Sequence, residues 1–142
     1  MTRIDFYVLD SPTTDRHDRM ICRIVEKAWQ QGHSVYIQCQ DMASVKSFDQ
    51  MLWQFKDTSF VPHAVDGSDL EDSPVAIGTH ADTVSSPDVL VNLAIDVPGS
   101  VSRYLRVIES AGYNATSRTA ARTRYRYYQD RGFPLNTHKL NL

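Results

Sequence analysis

The run Arg3-Ile-Asp-Phe-Tyr-Val-Leu9, closed by Ser11-Pro12, decides the fold together with the helix and strand patterns C-terminal to it. It is rich in β-favouring residues, and the Ser-Pro step ends it. Met20, Ile21, Ile24, Val25 and Ala28 then recur at helical spacing, after a cap at Thr14 or Asp15 and before Gly32. Ser34-Val-Tyr-Ile-Gln-Cys39 is a second strand pattern. Asp41 opens a second helix with the stripe Val45, Phe48, Leu52 and Phe55. Strand, helix, strand, helix is the signature of parallel strands joined by helical crossovers. The expected class is therefore α/β, with a mostly parallel central sheet between helices on both faces.

Working outward, the same signals continue. A short strand is expected near 60–65. Pro74-Val-Ala-Ile-Gly78 and Asp88-Val-Leu-Val-Asn-Leu93 read as buried strands, and Leu105-Arg-Val-Ile-Glu109 as the last one. Ala115 to Asp130 reads as a C-terminal helix stopped by Gly132, and 133–137 as the start of a non-helical tail. Neither an internal repeat nor a linker interrupts the chain, so residues 1–142 are expected to form a single domain.

The 142 residues are 42% hydrophobic and 23% charged, as in globular proteins that bury an apolar core. No 18-residue apolar run is present, and the charged start is not a signal peptide, so a cytoplasmic protein without a membrane span is expected. Two isolated cysteines, Cys22 and Cys39, fit reduced buried thiols. The net charge of −2 is unevenly spread. Residues 118–142 carry six basic side chains against Asp130 alone, a net of +5. The nine basic and sixteen acidic side chains before them leave a net of −7. Such a basic end on an acidic body points to a local anionic partner.

Several chemistries are disfavoured. The glycines, at 32, 67, 78, 99, 112 and 132, are never closer than 11 residues. Neither GxGxxG nor a Walker loop can be written, so no phosphate-binding loop is expected. His17, His33, His63, His80 and His138 are scattered and form no metal-ligand spacing. Asp5 and Asp10 flank the first strand but pair with no second acidic motif, so both are expected to be surface carboxylates. His63 is a candidate general base without a visible partner. No catalytic residue, metal or cofactor is expected.

Two features look like binding surfaces. On the C-terminal helix, Arg118, Arg122, Tyr125 and Arg126 fall within about 100° of arc. Guanidinium groups around an aromatic ring suit an acidic peptide with an apolar end, and equally single-stranded nucleic acid. A solvated basic face is the third reading. Trp53 lies roughly 130° from the centre of its helix's apolar stripe. It is either an exposed interface anchor, extended by Phe60, or covered by another element.

These same segments carry a resemblance. Phe6-Tyr7-Val8-Leu9-Asp10, Leu52-Trp53, Ser59-Phe60-Val61-Pro62-His63, Ala121-Arg122, Arg124-Tyr125, Tyr128, Gly132-Phe133 and Leu135-Asn136-Thr137 stand in the order found in one family. The chain resembles the chi subunits of bacterial DNA polymerase III holoenzyme, accessory proteins of the clamp loader. The resemblance implies a non-catalytic, three-layer Rossmann-like fold. It implies that residues matching Arg122, Tyr125 and Arg126 hold the acidic, phenylalanine-ended C-terminal tail of single-stranded DNA-binding protein, with Arg118 on the same face. It also implies that residues matching Trp53 and Phe60 bind the psi subunit, so that DNA is met only through the complex. Segment 66–87 and residues 138–142 depart from the family pattern. The alternatives are a small nucleotide-processing enzyme using loop carboxylates and His63, and a direct single-stranded nucleic-acid binder.

Overall fold

A computed structural model describes residues 2–9, 14–54, 64–65, 75–83, 88–111 and 114–140. Its elements are β1 (Arg3–Leu9), α1 (Thr14–Gln30), β2 (Val35–Gln38), α2 (Met42–Gln54), β3 (Ala64–Val65), β4 (Val75–Gly78), β5 (Val89–Asn92), β6 (Arg106–Ser110), α3 (Ala115–Asp130) and β7 (Leu135–Leu140). The strands form one seven-stranded sheet in the order β3-β4-β2-β5-β6-β1-β7. Every neighbouring pair is parallel.

The period-two alternation of each strand sorts side chains onto two cores. Val35 and Ile37 of β2, Val75 and Ile77 of β4, and Val89 and Val91 of β5 face one side. There they meet Met20, Ile21 and Val25 of α1 and Val45, Phe48 and Leu52 of α2. Ile4, Phe6, Tyr36, Leu90 and Val107 face the other side, against Ala121 and Tyr128 of α3. The three-layer α/β expectation is met. Both faces are covered, which is why the central strands read as continuous apolar runs.

Two helices end alike. Gly32 (φ 87°) and Gly132 (φ 75°) take the left-handed conformation just past α1 and α3. In each case the next residue's N–H reaches back five residues, His33 to Ala28 and Phe133 to Tyr128, both at 3.1 Å. This is the Schellman stop, in which glycine carries the backbone conformation that a Cβ disfavours. Its usual apolar contact is also present, with the Phe133 and Tyr128 rings 5.7 Å apart edge to face.

Two expectations are corrected. Residues 105–109 do not hold the last strand, because the tail after Gly132 becomes β7 and pairs with β1 from Ile4↔Leu135 to Leu9↔Leu140. An edge strand needs only one covered flank, so its sequence carries just Leu135 and Leu140 as apolar markers. Asp5 is not a surface carboxylate: it is buried, and it ties the sheet edge together. Its Oδ2 accepts from Arg106 Nε at 2.6 Å, and its Oδ1 meets His138 Nε2 at 3.1 Å. His138 also stacks on Tyr7 at 4.7 Å. Burial by itself raises the Asp5 carboxyl, but the Arg106 and His138 hydrogen bonds outweigh it and hold the group below its ordinary value.

Candidate interaction surfaces

Helix α3 starts on Asn114, whose side chain accepts the Ser117 N–H at 2.8 Å. Such a cap satisfies one orphan donor and contributes about 1 kcal/mol. The helix then turns Ala121, Arg124 and Tyr128 inward. Arg124 is the unexpected member of that stripe. Its Nε donates to Glu109 Oε1 at 2.9 Å, and its other nitrogens donate to the carbonyls of Ile95 (3.0 Å) and Ser110 (3.2 Å). Glu109 Oε2 accepts from Tyr128 Oη at 2.7 Å and from Asn92 Nδ2 at 2.9 Å. Burial raises the Glu109 carboxyl, against the pull of Arg124 and these donors. One of the six basic side chains of the C-terminal segment is therefore neutralised inside the protein.

This network fixes how α3 is rotated on the sheet. With Arg124 inward, Arg118, Arg122 and Arg126 are all exposed. Tyr125 is half-buried between them and packs edge to face on Phe6, with ring centres 5.2 Å apart. Neither Arg122 nor Arg126 makes an ion pair with another described residue. The four residues singled out on the helix thus share an outer face of three guanidinium groups around a ring held by the core. Sequence reasoning missed the Glu109–Arg124–Tyr128–Asn92 network. The signal was available: Ala121, Arg124 and Tyr128 stand at the three- and four-residue spacing of a buried stripe.

Trp53 sits in the last turn of α2, on the side away from Val45, Phe48 and Leu52, and is 49% exposed. The reading in which another element covers it does not hold for this chain. Phe60 and His63 lie outside the described residues, as do Phe55, Asp10 and the acidic residues 66–72. Among the described residues, no group of three or more His, Cys, Asp or Glu side chains is placed to hold a metal ion. Neither Cys22 nor Cys39 is in a disulfide; both are buried, and burial pushes the Cys22 thiol up to about 12, which makes it a poor nucleophile. Among the described residues, no helix is long and apolar enough to cross a membrane.

The family model of the DNA polymerase III chi subunit, HolC, matches residues 1–136. The chain belongs to the DNA polymerase III chi subunit family. It is similar to DNA polymerase III subunit chi of Pseudomonas aeruginosa, 39% identical over 140 residues that cover 99% of this chain and 98% of that protein. The Escherichia coli protein of the same name is 31% identical over 143 residues, covering 96% and 97%. The Haemophilus influenzae one is 26% identical over 137 residues. Among solved structures, the crystal structure of T4 UvsW superposes with a TM-score of 0.70 at 10% identity. The likeness covers 99% of this chain and 42% of that one, and it shows the shared α/β fold alone. Family membership thus rests on sequence similarity over nearly the whole length.

Proposed function

We propose that this chi-family protein is a non-catalytic, cytoplasmic bridge, working as one domain over residues 1–142. Arg118, Arg122, Tyr125 and Arg126 hold the acidic, phenylalanine-ended tail of single-stranded DNA-binding protein. Trp53, together with Phe60, holds the psi subunit and so the clamp loader. The carrying observation is the outer face of α3, with three exposed arginines around a half-buried tyrosine. Carboxylates of the tail pair with the guanidinium groups, and its terminal ring rests on Tyr125. Each contact is weak, but a coated DNA strand presents many tails, which raises their effective concentration. The protein reaches DNA through this complex.

The test is a titration of the full chain with a synthetic acidic peptide ending in phenylalanine, followed by amide shifts. Perturbed amides should map to α3, and affinity should fall as salt rises, because exposed charges are screened over about 8 Å at physiological ionic strength. Absence of binding, or binding that ignores salt, would refute the assignment of this face.

The Trp53 surface has a separate test. Trp53→Ala should abolish or strongly weaken capture of the psi subunit in a pull-down and leave tail-peptide affinity unchanged. Its stability cost should be about 1–2 kcal/mol, because only half of the side chain is covered by the protein. A loss of several kcal/mol in a denaturant melt would mean that Trp53 serves the fold instead.

A further inference from the structure

The carboxyl ends of β4, β2, β5 and β6 frame two adjoining clefts of about 470 and 450 Å³, with Cys39 and Ala94 common to both. Open parallel sheets usually take their ligands at this end. Phosphate is a frequent occupant there, met by backbone N–H groups and helix N-termini. In this protein carboxylates stand in that position. Asp18 and Asp41 line the first cleft, and Asp82 and Asp96 the second. Two of them occupy the N–H groups a phosphate would need. Asp41 Oδ1 accepts from Ser44 at 2.8 Å at the start of α2, and Asp82 Oδ1 accepts from Ser100 at 3.0 Å. Arg124, the one guanidinium among the described lining residues, is already engaged by Glu109 and by two backbone carbonyls. Arg103, beside the Asp82 carbonyl, offsets only part of the charge. The field of the trough therefore repels anions and attracts cations.

Its apolar feature is Ile95, which lines the first cleft and is 58% exposed. Ile95 is held on both sides. Its N–H donates to Gln40 Oε1 at 2.8 Å, and its carbonyl accepts from Arg124 at 3.0 Å. An exposed aliphatic residue whose backbone is fixed on both sides, in the cleft that Asp18 and Asp41 line, is the pattern of a docking cleft, because little backbone ordering cost remains on binding. We infer that this trough docks an extended protein segment that alternates basic and aliphatic side chains. An aliphatic side chain packs on Ile95, and the basic ones reach Asp18, Asp41 and Asp96. The charge preference is opposite to that of the α3 face, so the two surfaces select different partners.

The experiment uses the full chain, labelled with ¹⁵N, and the capped pentapeptide acetyl-Lys-Leu-Lys-Leu-Lys-amide as probe. Saturable shifts are expected in residues 39–48 and 92–98. A probe with serine in place of both leucines should bind about tenfold more weakly, the effect of about 1.4 kcal/mol. Ile95→Ser and Asp96→Lys, both at exposed positions, should each weaken the leucine probe several-fold without changing the melting temperature. Equal binding of the two probes would overturn the inference, since only general charge attraction would then be acting. Shifts confined to α3, or an anionic nucleotide such as ATP bound at the same amides, would overturn it as well.

Discussion

Glu109→Ala is expected to destabilise the protein by about 3–5 kcal/mol, the usual cost of removing one member of a buried ion pair. Glu109 is fully buried, and the Arg124 side chain is 9% exposed. Without the carboxylate, the guanidinium keeps its charge in a site where water cannot replace the lost partner. The Tyr128 hydroxyl and the Asn92 amide lose an acceptor at the same time. A denaturant melt checks the loss, which in a chain of this length lowers the melting temperature by roughly 10–17 °C. The double variant Glu109→Leu with Arg124→Leu should lose less than the single one, because it leaves neither charge unpaired. A single-variant loss below about 1 kcal/mol would mean that the network is loosely held and does not set the rotation of α3.

The rotation matters because it decides which arginines face outward. Helical spacing alone groups Arg118, Arg122, Tyr125 and Arg126, but that arc could in principle have pointed at the sheet. Arg124 removes the choice: once it is bound to Glu109 from within, Arg122 and Arg126 are turned to solvent.

This explains how much of the molecule was legible in the chain. Strands such as Val75–Gly78 and Val89–Asn92, and the span of α3 from Ala115 to Asp130, follow from local pattern and glycine placement. Trp53 was legible as an off-stripe aromatic for the same local reason. Features that depend on distant partners were not. Strand β7 forms because β1 offers an open edge at the other end of the sequence, and Asp5 is buried because Arg106 and His138 come to it from strands on either side. The inward course of Arg124 depends on a carboxylate 15 residues earlier, in a strand whose other residues gave no hint of charge pairing. A charge count cannot separate Arg124 from Arg122, although one is buried and the other exposed.

Arg122→Ala is expected to weaken binding of the acidic, phenylalanine-ended peptide by about tenfold or more. A charge-assisted hydrogen bond contributes roughly 1.5–3 kcal/mol when shielded and less in open solvent, and 1.4 kcal/mol is one decade in Kd. Arg122 is exposed in the free protein, so the variant should fold normally and the loss should appear in binding alone. Deleting the terminal phenylalanine from the peptide should cost as much as replacing its acids, because Tyr125 loses the apolar surface that would cover it. Tyr125 is suited to that contact: its ring is fixed against Phe6 at 5.2 Å and needs little ordering when a second ring arrives. Isothermal titration with the four combinations of protein and peptide reads both effects and their coupling. The phenylalanine arm also separates a peptide site from a nucleic-acid site, since single-stranded DNA stacks bases on aromatics along its length and has no such end group. Tight oligonucleotide binding, with indifference to the last residue of the peptide, would reassign the α3 face to nucleic acid.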